Sequence, residues 1–235
     1  MLNETVPAPG WEVAGIAALF AFAVSLTSVV TLPSGRPSLL RTANVLGTLF
    51  HEGGHALVSL LTGGDVSRVA ITSPGGGFTQ QKHGSALAAV LATAAGYATP
   101  PLAGLGVAVL LHRGHVPAVL VLTLAALAFL LLFARDLLTV AVIVVVGAVV
   151  YAALRYAPGW LRTGIAYAEA WLLLTSEIDG VRILVVNRVR AGFRDRTDDA
   201  AALARRTALP SPVWIGGWFV FNGWAVWQAF PLLWP

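Results

Sequence analysis

TANVLGTLFHEGGHALVSLLTGG, residues 42–64, contains one formally charged side chain, Glu52, and two histidines in an otherwise apolar run. About 20 mainly apolar residues suffice to cross the hydrocarbon core of a bilayer as a helix. On a helix, positions i and i+4 share a face, so His51 and His55 offer both imidazoles to one point. An acid or base inside a membrane helix costs at least about 2.5–3.5 kcal/mol. Three ionisable groups within one and a half turns therefore need a compensating partner, and a divalent cation is one. Zinc suits the set, because its catalytic sites use three nitrogen or oxygen donors plus water. Glu52, beside the first imidazole, is placed to accept a proton from that water.

The rest of the chain agrees with a membrane setting. Of 235 residues, 57% are hydrophobic and 11% charged, and mean hydropathy is +0.78. A soluble domain carries about 25% charged residues, so a water-soluble globule and a disordered chain are excluded. The absence of cysteine excludes a disulfide scaffold. Further apolar segments run over Val13–Leu32, Ser85–Leu111, Val116–Ala134, Leu137–Leu154, Gly164–Val186 and Val213–Pro235. Pro100 and Pro101 are expected to break or kink the third span. The runs are continuously apolar rather than alternating, which argues against a β-barrel. The expected fold is an all-α polytopic bundle of about six to seven transmembrane segments. Residues 1–235 form one membrane-embedded domain on this reading.

Two segments do not span. Gly63 to Gly84 is rich in glycine, and the alternation over Val66–Thr72 predicts a small hairpin. Asn187 to Pro212 is the charged loop, where Asp198 or Asp199 is expected to cap a short Ala-rich helix. Seven crossings place nine Lys and Arg residues on one side and five on the other, with Arg182 inside a span. The richer side is expected to be cytoplasmic, which puts the N-terminus inside in a multi-pass cell-membrane protein. Glu4 and Glu12 are the only early charges, so no basic signal-peptide n-region is expected. Fourteen Arg against the single Lys82 suggest a GC-rich bacterial source. The basic excess needs no nucleic-acid partner, since spans keep Arg at their cytoplasmic ends.

A third donor is required. The acids within or next to apolar segments are Glu169, Glu177, Asp179 and Asp136. At 1.5 Å per residue, Asp179 and His55 both fall roughly 12–14 Å from the same membrane face. Gly180 then permits close helix approach. Asp179 is the expected ligand on this depth criterion. Glu177, two residues away, is expected to point elsewhere, and Asp136, next to Arg135, to form an interfacial ion pair. The His112 and His115 pair is read as a surface loop.

Residues 51–56, His-Glu-Gly-Gly-His-Ala, resemble the motif of the site-2 protease family of intramembrane zinc metallopeptidases, most closely its short branch without a PDZ domain. Leu61-Thr62-Gly63-Gly64, Phe78-Thr79-Gln80, Gly96-Tyr97-x-x-Pro100 and Thr197-Asp198-Asp199-Ala200 extend the likeness. The resemblance implies zinc on His51 and His55, with Glu52 activating water. It also implies a third ligand in a Leu-Asp-Gly turn, to which Ile178-Asp179-Gly180 is similar. The Asn and Pro that precede this turn in larger members are absent from Ala168 to Glu177.

The expected activity is hydrolysis of a transmembrane protein substrate within the bilayer, with Gly75 to Gln80 as an edge on which an extended peptide could pair. Two other classes use the same residues: a catalytically silent membrane scaffold or assembly factor, and a metal or proton transporter. The sequence keeps all three expected groups, unlike a dead enzyme. It lacks the duplicated halves with broken helices that many transporters show.

Overall fold

A computed structural model describes residues 5–26, 44–73, 75–192 and 197–234. The described helices are α1 (Trp11–Leu26), α2 (Val45–Leu61), α3 (Ala86–His112), α4 (Val116–Leu131), α5 (Leu137–Tyr156), α6 (Gly159–Arg190), α7 (Asp199–Arg206) and α8 (Ser211–Leu233). A hairpin of β1 (Asp65–Ser73) and β2 (Gly76–Lys82) follows α2. The fold is therefore all-α apart from this hairpin, as the apolar runs imply. The last part of the Val13–Leu32 segment lies outside the described residues, as do Arg36, Arg41, Arg194 and Arg196 of the charge count.

Several boundaries have a local cause. Ser85 caps α3, its hydroxyl accepting from the Ala88 amide at 3.1 Å. Pro117 and Pro212 sit in the first turns of α4 and α8, where a missing N–H costs nothing. Pro100 and Pro101 do not interrupt α3, which continues through both. Their rings are buried among neighbouring helices, which hold the segment helical against the lost hydrogen bonds.

Asp136 caps α5 through the Thr139 amide at 2.9 Å and accepts from Arg68 Nη2 at 3.0 Å. Its ion pair is thus with β1 rather than with the adjacent Arg135. The Ile71 amide donates to Thr139 Oγ1 at 2.9 Å, and the Val69 amide to the Phe133 carbonyl at 3.0 Å. These bonds fix the hairpin against α5. Its strands pair antiparallel, with Asp65 opposite Lys82 and Ala70 opposite Phe78.

α2 packs against α3 and the hairpin, and α3 in turn against α6 and α8. One core, including Trp171, Leu120 and Leu174, joins α1, α3, α4, α5, α6 and α8. A second, around Leu49, Val69, Ile71 and Leu127, joins α2, β1, α4 and α5. Polar bonds stitch the first core. The Ser25 hydroxyl donates to Thr175 Oγ1 at 2.8 Å, and Thr123 donates to the buried Glu169.

The outer faces are apolar. Leu137 is 84% exposed on α5 and Trp227 76% on α8, among many exposed Leu, Val, Phe and Trp side chains. An apolar surface of this extent requires a cover other than water. Among the described residues, two helices, α3 and α5, are long and apolar enough to cross a membrane, and α1 and α4 are shorter apolar helices.

Candidate metal centre

The site forms where α2 and α3 cross. A Cβ on Gly54 would lie 2.8 Å from the Ala95 carbonyl oxygen, so only glycine lets α3 approach this closely. Across the crossing, a Cβ on Gly96 would lie 2.4 Å from His55 Nε2 and 2.6 Å from His51 Nε2. The space between the two imidazoles is thus kept open by a missing methyl group.

The imidazole Nε2 atoms are 3.2 Å apart. Asp199 Oδ2 lies 3.5 Å from His51 Nε2 and 3.3 Å from His55 Nε2. Zinc bound tetrahedrally at about 2.0–2.1 Å places its donors about 3.3–3.4 Å from one another. The three measured separations match that triangle, so the residues present fit a zinc ion. Among the described residues, His51, His55 and Asp199 form the single such cluster.

This cluster differs from the expected donor set. Asp179 is not in the cluster; its Oδ1 accepts from Nε and Nη2 of Arg182, each at 3.3 Å. Glu177, expected to point away, instead lies with Oε1 3.3 Å from His51 Nδ1. Residues two apart on a helix point to nearly opposite sides, and α6 turns its Glu177 side toward α2. Depth along the membrane normal does not fix rotation about the helix axis.

Asp199 comes from the charged loop, as the first residue of α7. The preceding Asp198 caps α7 at the Ala201 amide, 2.8 Å away, and is held by Arg188 of α6 through Nε at 2.8 Å and Nη2 at 2.6 Å. A bidentate guanidinium–carboxylate pair has a fixed geometry. Leu203 and Ala200 of α7 are buried in the cluster with Tyr97 and Trp218. Clamp and packing together set the position of Asp199.

Glu52 points to the other side of the imidazole pair, toward the hairpin. Its Oε2 accepts from Thr79 Oγ1 at 2.7 Å, and a Cβ on Gly77 would meet its Cγ at 2.8 Å. The hairpin therefore packs its glycine-rich strand on Glu52. A cavity of about 480 Å³ opens here, lined by Glu52, His51, His55, Gly77, Thr79 and Asp199 among others. Tyr97 closes another side, its ring edge-on to His51 at 4.6 Å and stacked on Trp218 at 4.2 Å.

Two histidines and a carboxylate converging beside a buried glutamate, on a helical frame, define a metallopeptidase-like protein. The chain belongs to the Peptidase M50B-like family, whose model matches residues 13–229. This agrees with the resemblance to site-2 proteases drawn from residues 51–56. No curated protein and no solved structure matches the chain.

Gly96 carries a direct prediction. Gly96→Ala places a methyl within 2.4 Å of His55 Nε2, which displaces an imidazole or fills the ion's place. Zinc content measured on purified protein should fall by about tenfold or more, the scale at which disturbed ligand orientation lowers affinity.

Proposed function

We propose that the protein is an intramembrane zinc metalloprotease that hydrolyses peptide bonds of membrane-spanning substrates. The observation that carries this reading is the near-equilateral triangle of His51, His55 and Asp199 donors beside Glu52, at 3.2, 3.5 and 3.3 Å. His51, His55 and Asp199 hold the ion. When bound, zinc supplies Lewis-acid polarisation of a carbonyl and acidifies water. Glu52 takes a proton from water and passes it to the leaving amine. The Thr79 hydroxyl holds Glu52 Oε2 at 2.7 Å and so orients the carboxylate for that exchange. β2 has one partner in its two-stranded sheet, and its remaining edge would take an extended segment of substrate by strand addition, next to Glu52.

The bilayer setting rests on the apolar outer faces and on the helix lengths. α3 and α5 are long and apolar enough to cross, and we assign the remaining crossings of the six to seven to α1, α2, α4, α6 and α8. α6, with 32 residues, is about 48 Å long at 1.5 Å per residue, longer than the ~30 Å hydrocarbon core. Its last turns, with Arg188 and Arg190, project from the cytoplasmic face. Asp199 arrives from that projecting side, which sets the reaction centre toward the cytoplasmic half of the bilayer.

The test uses detergent-purified protein and a tagged single-span substrate. Cleavage should be lost on treatment with a zinc chelator and return with added zinc. Chelator-insensitive cleavage overturns the metal mechanism. Zinc flux into proteoliposomes without any proteolysis would instead assign the site to transport, and bound zinc with neither activity to a silent scaffold.

A further inference from the structure

We infer that Glu177 is a positioning residue: its carboxylate fixes His51 in the tautomer whose Nε2 is free to bind metal. The inference rests on the metal reading above and extends it to a residue outside the donor triangle. A neutral imidazole carries one N–H and one lone pair, so the partner of one nitrogen decides the role of the other. Glu177 Oε1 lies 3.3 Å from His51 Nδ1. With Glu177 Oε1 as acceptor, Nδ1 carries the hydrogen and Nε2 keeps its lone pair, directed at the donor triangle.

His55 is held by the same logic with a different acceptor. Its Nδ1 lies 2.7 Å from the Ala92 carbonyl oxygen, which also only accepts. Two histidines on α2 are thus oriented from two other helices, α3 by backbone and α6 by side chain. Partners of this kind are the usual outer support of metal-binding imidazoles. Glu177 meets the Nδ1 side of the His51 ring, away from the Nε2 that lies near His55 and Asp199, and so stands behind the ligand. Gly180 keeps that place open: a Cβ there would lie 2.9 Å from Glu177 Oε2. The carboxylate is buried at 4% exposure, where an acid with no task is costly.

The experiment measures zinc affinity by chelator competition and the visible absorption of the cobalt-substituted form, on full-length protein in detergent. E177A should bind zinc about 10–100-fold more weakly and show an altered cobalt spectrum. E177Q should stay within about threefold of wild type, because its amide oxygen accepts from the same Nδ1–H. Wild-type affinity with an unchanged cobalt spectrum in E177A overturns the inference. So does a loss in E177Q as large as that in E177A, which would point to charge rather than to tautomer. If E177A does not fold, E177Q decides alone: retained affinity and spectrum support the role, and a tenfold loss removes it. A wild-type protein that binds neither ion sinks the metal reading itself, a result distinct from an unaffected E177A beside a zinc-loaded wild type.

Discussion

Asp199→Ala protein is expected to lose zinc, while Asp179→Ala protein keeps it. Asp199 Oδ2 stands 3.3 and 3.5 Å from the two Nε2 atoms, and removing it leaves two imidazoles to hold the ion. Loss of an outer partner alone costs about 10–100-fold in affinity, and loss of a direct donor should cost at least the upper end of that range. Asp199→Asn serves as the conservative control: it keeps the shape but removes the negative charge that balances the cation, so its affinity should also fall. Asp179→Ala acts elsewhere. It removes the acceptor of the 3.3 Å contacts from Arg182, a change worth about 1–2 kcal/mol of stability once the half-exposed guanidinium is discounted. Zinc measured on both variants separates the two assignments. Undiminished zinc in Asp199→Ala, with loss in Asp179→Ala, would restore the ligand that depth along the membrane selects.

The contrast between these two aspartates shows what the sequence could carry. The i, i+4 histidines were legible because helical periodicity alone brings them together, and α2 runs through both. The hairpin was legible from alternation over Val66–Thr72, and a cap at Asp198 or Asp199 from their place before an Ala-rich run, of which Asp198 is the one used. The approach of Asp199 to the imidazoles was not. A search confined to acids in or beside apolar segments excludes the charged loop, yet α7 folds back so that Asp199 meets the imidazoles. Its position depends on the Arg188–Asp198 clamp, at 2.6 and 2.8 Å, and on the burial of Leu203. Both are tertiary contacts with no local pattern. One signal did point there, the likeness of Thr197-Asp198-Asp199-Ala200 to the family's charged loop. Which of Glu177 and Asp179 faces α2 was equally out of reach, because a rotation of α6 by half a turn leaves its depth unchanged. Pro100 and Pro101 illustrate the same limit from the other side: a local helix breaker was overruled by helices packed around it.

Glu52→Gln should abolish cleavage without releasing zinc. Gln is nearly isosteric with Glu, and its amide can keep the bond from Thr79 Oγ1, now 2.7 Å from Oε2, so the hairpin stays docked on α2. Glu52 is not among the three donors, and zinc content should therefore match wild type. What the amide cannot do is accept a proton at neutral pH. Loss of a general base costs about 10²–10⁴-fold in rate, enough to bring cleavage of a single-span substrate to background. The geometry makes this outcome specific. Glu52 is 4% exposed, held between Thr79 and the close approach of Gly77. Single-turnover cleavage and zinc analysis on the same preparation give the reading. A Glu52→Gln enzyme that keeps its zinc and cleaves at the wild-type rate would show that the proton leaves water by another route and that α2 supplies ligands only.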